Sequence, residues 1–490
     1  MLTCYALSTF RRFASQRLAF ARHAATVVPL HLLLLVACVR ASPSPAVPLK
    51  STAVDLWLRN VHVVQTDRGV IQRDRALGLA GGTIRAIVDA NRVPVGTSAH
   101  IIDAGGAYAI PGLWDAHVHL LQGGEATAEL DAARALSFGI THVRDMGSSL
   151  DARTTFLARL GQPGMDAPMM IGAGPTFWAF ALPYGDKQQQ VIVIDPADTD
   201  AAVDRVADRG VDFIKVYAGF DRTRLPQLVA AARRRGLTVA GHAQPGMTLA
   251  EHAKFGVATI EHLDFGTLAE CTTDADSYFE RVIAARFRNS GESIPSIYTA
   301  FADRVDTADC RARLRRAGDA GLVLTPTLVA SYLSPVASRA LLAQLPESRR
   351  EGCALFLRQF DGLSDTEQAA LPEVGKRLMR MVIDAVVPVL AGTDASAFCT
   401  RPGESLAIEL QLFGDAGLSP LSVLQSATST PARVFGQSDR FGALTVGRAA
   451  DVVLLRANPL ETTRAYADPV GIYTQGRWRD AAALSALRRQ

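Results

Sequence analysis

The sequence predicts a mixed α/β protein, a (β/α)8 TIM barrel with a small β-sandwich domain built from both chain ends. Three features support this fold: strand–helix alternation in the middle, strand-like ends, and metal-ligating side chains that recur at predicted strand ends. The chain has 490 residues, of which 48% are hydrophobic and 20% are charged. This length and composition can supply one large hydrophobic core and a smaller one.

Both chain ends have the composition of strands. Residues 54–108 and 436–482 contain short apolar pieces that Gly and Asp interrupt, without a helical period. We therefore predict that the two ends form one small β-domain. A structure in which they do not share a sheet would contradict this prediction.

The middle of the chain, residues 109–435, alternates between apolar runs and helical stretches. Runs of this kind, when buried on both faces, are typical of parallel sheets, and eight of them fit a closed barrel better than an open doubly wound sheet. No G-x-G-x-x-G motif follows the first run. We expect a helical insertion at about 268–385, around the seventh unit. The eight runs are AIPGLWDAHV, GITHVRDMG, PMMIGAGPTF, VDFIKVYAG, LTVAGHAQ, VATIEHLDFG, LVLTPTLVA and VVPVLAGTDA.

Residues 1–38 are predicted to be a signal peptide, with a buried N-terminal helix as the alternative. An arginine-rich stretch without acidic residues precedes an apolar run that is too short to span a bilayer. The sequence LVAC at 35–38 is similar to a bacterial lipobox, which implies a lipid on Cys38; simple secretion is the alternative. Residues 39–53 form a Pro/Ser-rich linker. We expect an exported protein, in the periplasm or on the outer membrane, that contacts the membrane only through this anchor.

Charge and cysteine content exclude two classes of site. The net charge is +3, which becomes about −1 without the four arginines of residues 1–37, so no nucleic-acid partner is expected. Cysteine pairs with C-x-x-C spacing are absent, which argues against a cysteine zinc site. One or two disulfides are expected, but three full pairings stay open, and so does a homo-oligomer. The cysteines concerned are Cys271, Cys310, Cys353 and Cys399.

Side chains that bind metals follow the predicted strands. His117 and His119 lie at the end of the first run, and alternation places both on one face. In a barrel, the carboxyl ends of all strands meet at one mouth. Imidazole and carboxylate suit a divalent ion such as zinc. The remaining candidates at this mouth are Lys215, His242, His262 and Asp394.

Several motifs, in the same order, resemble the amidohydrolase superfamily, and more closely its imidazolonepropionase-like and exported dipeptidase (prolidase-like) branch. The resemblance covers about residues 54–479. It rests on PGLWDAHVHL, FIKVYAG, GHAQ, IEHLDFG, LAGTDA and GALTVGRAADVVLLRANPLE.

The resemblance implies two divalent metal ions, taken to be zinc. His117, His119 and Asp394 would bind one ion, and His242 and His262 the other. Lys215 would bridge them as a carbamate formed with carbon dioxide. A bridging hydroxide would be the nucleophile, and Asp394 would move its proton to the leaving nitrogen.

The resemblance also implies the reaction, which is hydrolysis of a carbon–nitrogen bond in a small amide or dipeptide. Alternatives are a cyclic-amide (imidazolone-like) hydrolase, a phosphotriester or lactone hydrolase, and an inactive scaffold. One of the ions or Tyr217 would polarise the scissile carbonyl; alternatively, Tyr217 would only pack. Arg144 and Asp145 are interpreted as a structural pair, with substrate contact as the alternative, and Glu261 as a structural residue on the opposite strand face. We expect the loops 175–190 and 395–405 and the insertion to select the substrate.

Overall fold

Strands and helices alternate through the middle of the chain, whereas strands dominate its two ends. The computed structural model describes residues 53–178, 190–192, 195–287, 290–333, 335–343, 345, 347–361 and 363–489. These residues belong to one compact unit, Thr52–Gln490. The predicted signal peptide with Cys38, and the predicted linker except residue 53, lie outside them.

The strands in the described residues are β1 (Leu56–Gln65), β2 (Val70–Ala80), β3 (Thr83–Asp89), β4 (His100–Asp103), β5 (Tyr108–Pro111), β6 (Leu113–Val118), β7 (Ile140–Asp145), β8 (Met169–Gly172), β9 (Thr176–Trp178), β10 (Gln190–Ile192), β11 (Phe213–Val216), β12 (Thr238–Gly241), β13 (Val257–Glu261), β14 (Val323–Thr325), β15 (Val452–Leu455), β16 (Pro469–Thr474) and β17 (Arg477–Asp480).

The helices in the same residues are α1 (Glu125–Ser137), α2 (Leu150–Arg159), α3 (Thr199–Ala207), α4 (Leu225–Arg234), α5 (Leu249–Phe255), α6 (Ala269–Cys271), α7 (Ala275–Phe287), α8 (Ile294–Ala302), α9 (Thr307–Asp319), α10 (Leu328–Ser331), α11 (Pro335–Leu342), α12 (Glu347–Leu357), α13 (Asp365–Asp384), α14 (Glu404–Asp415), α15 (Pro420–Ser426), α16 (Ser429–Val434) and α17 (Ala481–Arg488). Within this part of the chain, no helix is both long enough and apolar enough to cross a bilayer.

Helix α4 shows how the sequence determines these elements. Its buried side chains, among them Leu225, Leu228 and Ala232, recur at helical spacing and therefore form one apolar face. The chain leaves the helix at Gly236, whose φ of +72° is readily adopted only by glycine.

The two chain ends pair in one sheet, as predicted. Its strand order is β17-β16-β15-β5-β1-β2-β3, and β4 also pairs with β1. Strand β5 joins the two ends, because it runs parallel to β1 and antiparallel to β15. Apolar side chains from both ends, including Leu58, Leu77 and Val452, are buried together. The second layer of a sandwich stays a prediction.

The strands of the middle region are parallel and form two groups, β6-β7-β8 and β10-β9-β11-β12-β13-β14. Two parallel bridges, Leu324 with Val389 and Val118 with Ala395, connect the groups through the predicted eighth run. This run forms isolated bridges instead of a regular strand, and Asp394 in it has a left-handed backbone with φ of +56°. The mixed α/β class is confirmed, and closure into an eight-stranded barrel stays a prediction.

Helices dominate the predicted insertion, although β14 lies inside it. Helices α6–α9 precede β14, and α10–α13 follow it. One disulfide, Cys271–Cys310, joins α6 to α9. The other, Cys353–Cys399, joins α12 to the segment after Asp394. The structure therefore selects one of the three pairings that the sequence left open.

Candidate metal centre

Three predicted ligands converge at the carboxyl end of β6. His117 lies in the strand and His119 follows it, and both imidazoles lie against the same carboxylate. Asp394 faces them, with its Oδ1 3.1 Å from His119 Nε2 and 3.5 Å from His117 Nε2. One ligand atom from each of these residues lies within 4.8 Å of the others. This donor set fits a divalent metal ion.

The other three candidates adjoin this group. The ring centroid of His262 lies 4.7 Å from that of His117, and the ring centroid of His242 lies 4.9 Å from that of His262. Lys215 is buried in β11, near enough that its charge lowers the pKa of His117 and of His262, and its Nζ lacks a hydrogen-bond partner within the described residues. A buried amine without a partner is costly, so this position favours a further group bound to the nitrogen.

Other polar side chains orient two of the histidines. Glu261 Oε2 lies 2.8 Å from His117 Nδ1, which leaves His117 Nε2 facing Asp394. Thr327 Oγ1 lies 2.7 Å from His262 Nδ1. Such contacts fix the ring and the tautomer of a metal-binding histidine.

The sequence-based expectations for the strand face of Glu261 and for the partner of Arg144 were wrong. Strand alternation was expected to turn Glu261 away from the site, but His262 lies after β13 with φ of +66°, so alternation does not extend to it. Arg144 pairs with Glu261, with Nη2 2.8 Å from both carboxylate oxygens, and not with Asp145. Sequence reasoning therefore missed the role of the Glu261 carboxylate, which orients the imidazole of His117.

Burial and neighbouring charges set protonation states that suit metal binding. Burial lowers the pKa of His117 to about 4 and that of His262 to about 3. Burial alone would raise the pKa of Asp394, but contacts with His119 and His117 lower it below the usual range. Burial also lowers the pKa of Lys215 to about 8. Near neutral pH, the two histidines are thus neutral and Asp394 is ionised, as metal ligands must be.

Tyr217 lies beside this centre, immediately after β11. Its ring stacks on Trp178 at 3.7 Å between centroids and lies 4.2 Å from the ring of His242. The predicted carbonyl-polarising residue is therefore next to a predicted ligand, and its packing on Trp178 fixes its position.

Glu261→Gln is expected to weaken metal affinity by about 10–100-fold, because an amide orients and polarises His117 less well than a carboxylate. Competition with a chromogenic zinc chelator measures this. Glu409→Gln is the matched control, since Glu409 is also buried but bonds the backbone of Leu328 and Val329. Equal affinities in the two variants would show that Glu261 does not position the ligand.

Comparisons with known proteins agree with this geometry. Residues 108–478 match the amidohydrolase family. Adenine deaminase 2 from Bradyrhizobium sp. (strain ORS 278) is 28% identical over 209 residues, which cover 39% of this chain and 32% of that protein. The match thus spans about a third of that relative's length.

Two solved structures share the fold over most of the chain. Bottromycin amidohydrolase is 26% identical, with a TM-score of 0.67 and 88% of each chain covered. A putative prolidase from Bifidobacterium longum is 23% identical, with a TM-score of 0.63, and the match covers 89% of this chain and 98% of that one. The predicted resemblance to the amidohydrolase superfamily is confirmed. Since the family match takes in all six candidate ligands, this chain belongs to the amidohydrolase family.

Proposed function

We propose that the protein is a metal-dependent hydrolase that cleaves the carbon–nitrogen bond of a small amide or dipeptide at the mouth of a (β/α)8 barrel. The observation that carries this proposal is the convergence of His117, His119 and Asp394 beside the buried amine of Lys215. Membership of the family supports a hydrolase.

Two zinc ions would be held by the predicted ligands, His117, His119 and Asp394 for one and His242 and His262 for the other. When bound, such ions supply Lewis acidity and lower the pKa of water. Lys215 would bridge them after its neutral amine forms an N–C bond to carbon dioxide and releases a proton. Its lowered pKa and its Nζ, which has no hydrogen-bond partner in the described part of the chain, support this modification.

Two residues of the chain would act on the substrate. Asp394, ionised and facing the two histidines, would accept a proton from the nucleophile and deliver it to the leaving nitrogen. Tyr217 would donate a hydrogen bond to the scissile carbonyl oxygen, and its position against His242 supports this role.

A hydrolysis screen with the purified, zinc-loaded protein tests the proposal. Its arms are dipeptides and N-acyl amino acids, with a cyclic imidazolone, a lactone, a phosphotriester and adenine as competing classes. We expect turnover of linear amides that a chelator abolishes and zinc restores. Turnover that survives complete removal of metal, or activity confined to a competing class, would contradict the proposal.

We also propose that the protein is exported and that Cys38 carries a lipid, as the lipobox-like sequence indicates. Mass spectrometry of membrane-extracted protein is expected to show a chain that begins at an acylated Cys38. An intact Met1 or an unmodified Cys38 would contradict this.

A further inference from the structure

A cavity of about 750 Å³ lies beside the candidate metal centre. Tyr217 lines it and also contacts the ring of His242. On another side, Tyr298 lines the cavity and donates a hydrogen bond to Asp264, two residues after His262. The cavity therefore adjoins the reacting centre and can hold the part of a substrate next to the scissile bond.

Three phenylalanines form what we term the aromatic wall of this cavity: Phe356, Phe360 and Phe398. The ring centroid of Phe356 lies 4.9 Å from that of Phe398 and 5.3 Å from that of Phe360. These distances are typical of attractive aromatic contacts. Phe356 and Phe398 are half-buried and offer an apolar surface against which another ring can pack, whereas Phe360, at 1% exposed, supports Phe356.

Covalent and ionic contacts hold the aromatic wall in place. Cys353, one turn before Phe356, is bonded to Cys399, the neighbour of Phe398. Asp131 adds a second connection, because it binds Arg349 of α12 at 3.1 Å and accepts a hydrogen bond of 2.8 Å from Ser396. Since the two supporting segments are fixed to each other, a ligand would not have to order them on binding.

Charge gives the cavity little selectivity of its own. The charged residues that line the cavity include Arg358, Asp361 and Glu292. Glu292 forms an ion pair with Arg281. The signs are mixed, so neither a cationic nor an anionic substrate gains a clear advantage. The volume lies within the range of roughly 300–1,000 Å³ typical of sites for drug-sized ligands. A substrate with only small side chains would leave most of this apolar surface in contact with water.

We propose that the cavity binds a bulky aromatic group next to the scissile amide, so that the substrates are aromatic dipeptides or N-acyl amino acids of similar size. This inference rests on the proposed function for its account of catalysis. The aromatic wall would bind the group, and Tyr217 would lie between it and the metal centre.

The kinetic test compares Ala-Ala, Ala-Phe and Phe-Ala on the zinc-loaded protein. We expect kcat/KM for one of the phenylalanine dipeptides to exceed that for Ala-Ala at least about 10-fold, as an apolar pocket can provide. Phe356→Ala should abolish most of this preference. Phe255→Ala is the matched control, because Phe255 is 41% exposed on α5 and lies outside the cavity lining. Equal kcat/KM values for the three dipeptides would overturn the inference while leaving the amide hydrolase intact.

A pair of disulfide variants tests the support of the wall. Replacing Cys353 and Cys399 by serine should raise KM for the preferred dipeptide, whereas the same change at Cys271 and Cys310 should not. Loss of the preference in both double variants would assign the effect to general destabilisation and count against a preformed wall.

A binding test separates the pocket from catalysis. Calorimetry with N-acetyl-phenylalanine amide and N-acetyl-alanine amide is expected to show binding at least about 10-fold tighter for the aromatic compound, lost in Phe356→Ala. If neither dipeptides nor N-acyl amino acids are hydrolysed, this result would retain the pocket and reject the proposed function. Equal binding of the two amides would reject the pocket.

Discussion

Asp394→Asn is expected to lower kcat by at least about two orders of magnitude, since loss of a general base typically costs about 10²–10⁴ in rate. Asp394 faces both His117 and His119, and these contacts hold its pKa below the usual range. The carboxylate is therefore ionised at neutral pH and can accept a proton. An asparagine retains one oxygen toward the metal but cannot accept that proton.

His117→Ala provides the contrast to this variant. It removes a ligand and leaves the carboxylate of Glu261 without its imidazole partner, so metal and activity should disappear together. Elemental analysis of dialysed protein, combined with kcat on the best amide, distinguishes the two outcomes. Near-normal turnover of Asp394→Asn would exclude Asp394 as the proton carrier, even if the metal site is correct.

The six candidate ligands were predictable because the chemistry and the topology agree. Each of His117, His242 and His262 lies at the end of an apolar run, and parallel strands bring such ends together. Lys215 is inside its strand, where an unpaired lysine is rare enough to be noticed. The sequence thus indicated six candidates at one end of the parallel strands, but it contained no information on their distances from one another.

The positioning residues could not be predicted by the same reasoning. Glu261 was placed on the wrong face because alternation holds only while the backbone stays extended, and His262 does not stay extended. The partner of Arg144 is 117 residues away and not its neighbour Asp145. A sequence pattern can indicate the face of a strand, but it does not indicate which distant side chain occupies the space opposite.

For the fold, too, the sequence predicted the general arrangement but not the detailed packing. Strand-like composition at both ends indicated their shared sheet, although the C-terminal end also contains the short helix α17. The disulfide pairing was not predictable, since it depends on how α6 packs on α9 and how α12 meets the segment after Asp394. Packing of helices in an insertion is decided by tertiary contacts that local sequence does not specify.

Arg144→Met is expected to lower the free energy of unfolding by about 3–5 kcal/mol, the range for breaking a buried ion pair at one partner. Arg144 is 2% exposed and Glu261 is fully buried. The guanidinium donates two hydrogen bonds of 2.8 Å to Glu261, one of 3.0 Å to Thr259 and one of 2.6 Å to the carbonyl of Ala116. Its removal leaves a buried carboxylate whose remaining hydrogen-bond partners, among the described residues, are His117 and Thr259.

Urea denaturation of the metal-free protein measures this loss. Arg59→Met is the matched control, because Arg59 pairs with Asp103 at 3.2 Å in solvent, with 41% of its side chain exposed. An exposed pair contributes less than about 1 kcal/mol. A loss of similar size in both variants would show that the buried pair has no special role in stability.

The double variant Arg144→Met/Glu261→Leu separates the contribution to stability from the contribution to function. Because it removes both charges, it should recover part of the stability lost in the single variant. It should not recover metal affinity, since His117 still lacks the carboxylate that orients it. Recovery of both stability and metal affinity would mean that Glu261 serves only to neutralise the charge of Arg144. Recovery of stability alone would mean that the ion pair is needed to orient His117 and not to stabilise the fold. Two apolar side chains at these positions would then give a protein of nearly the same stability.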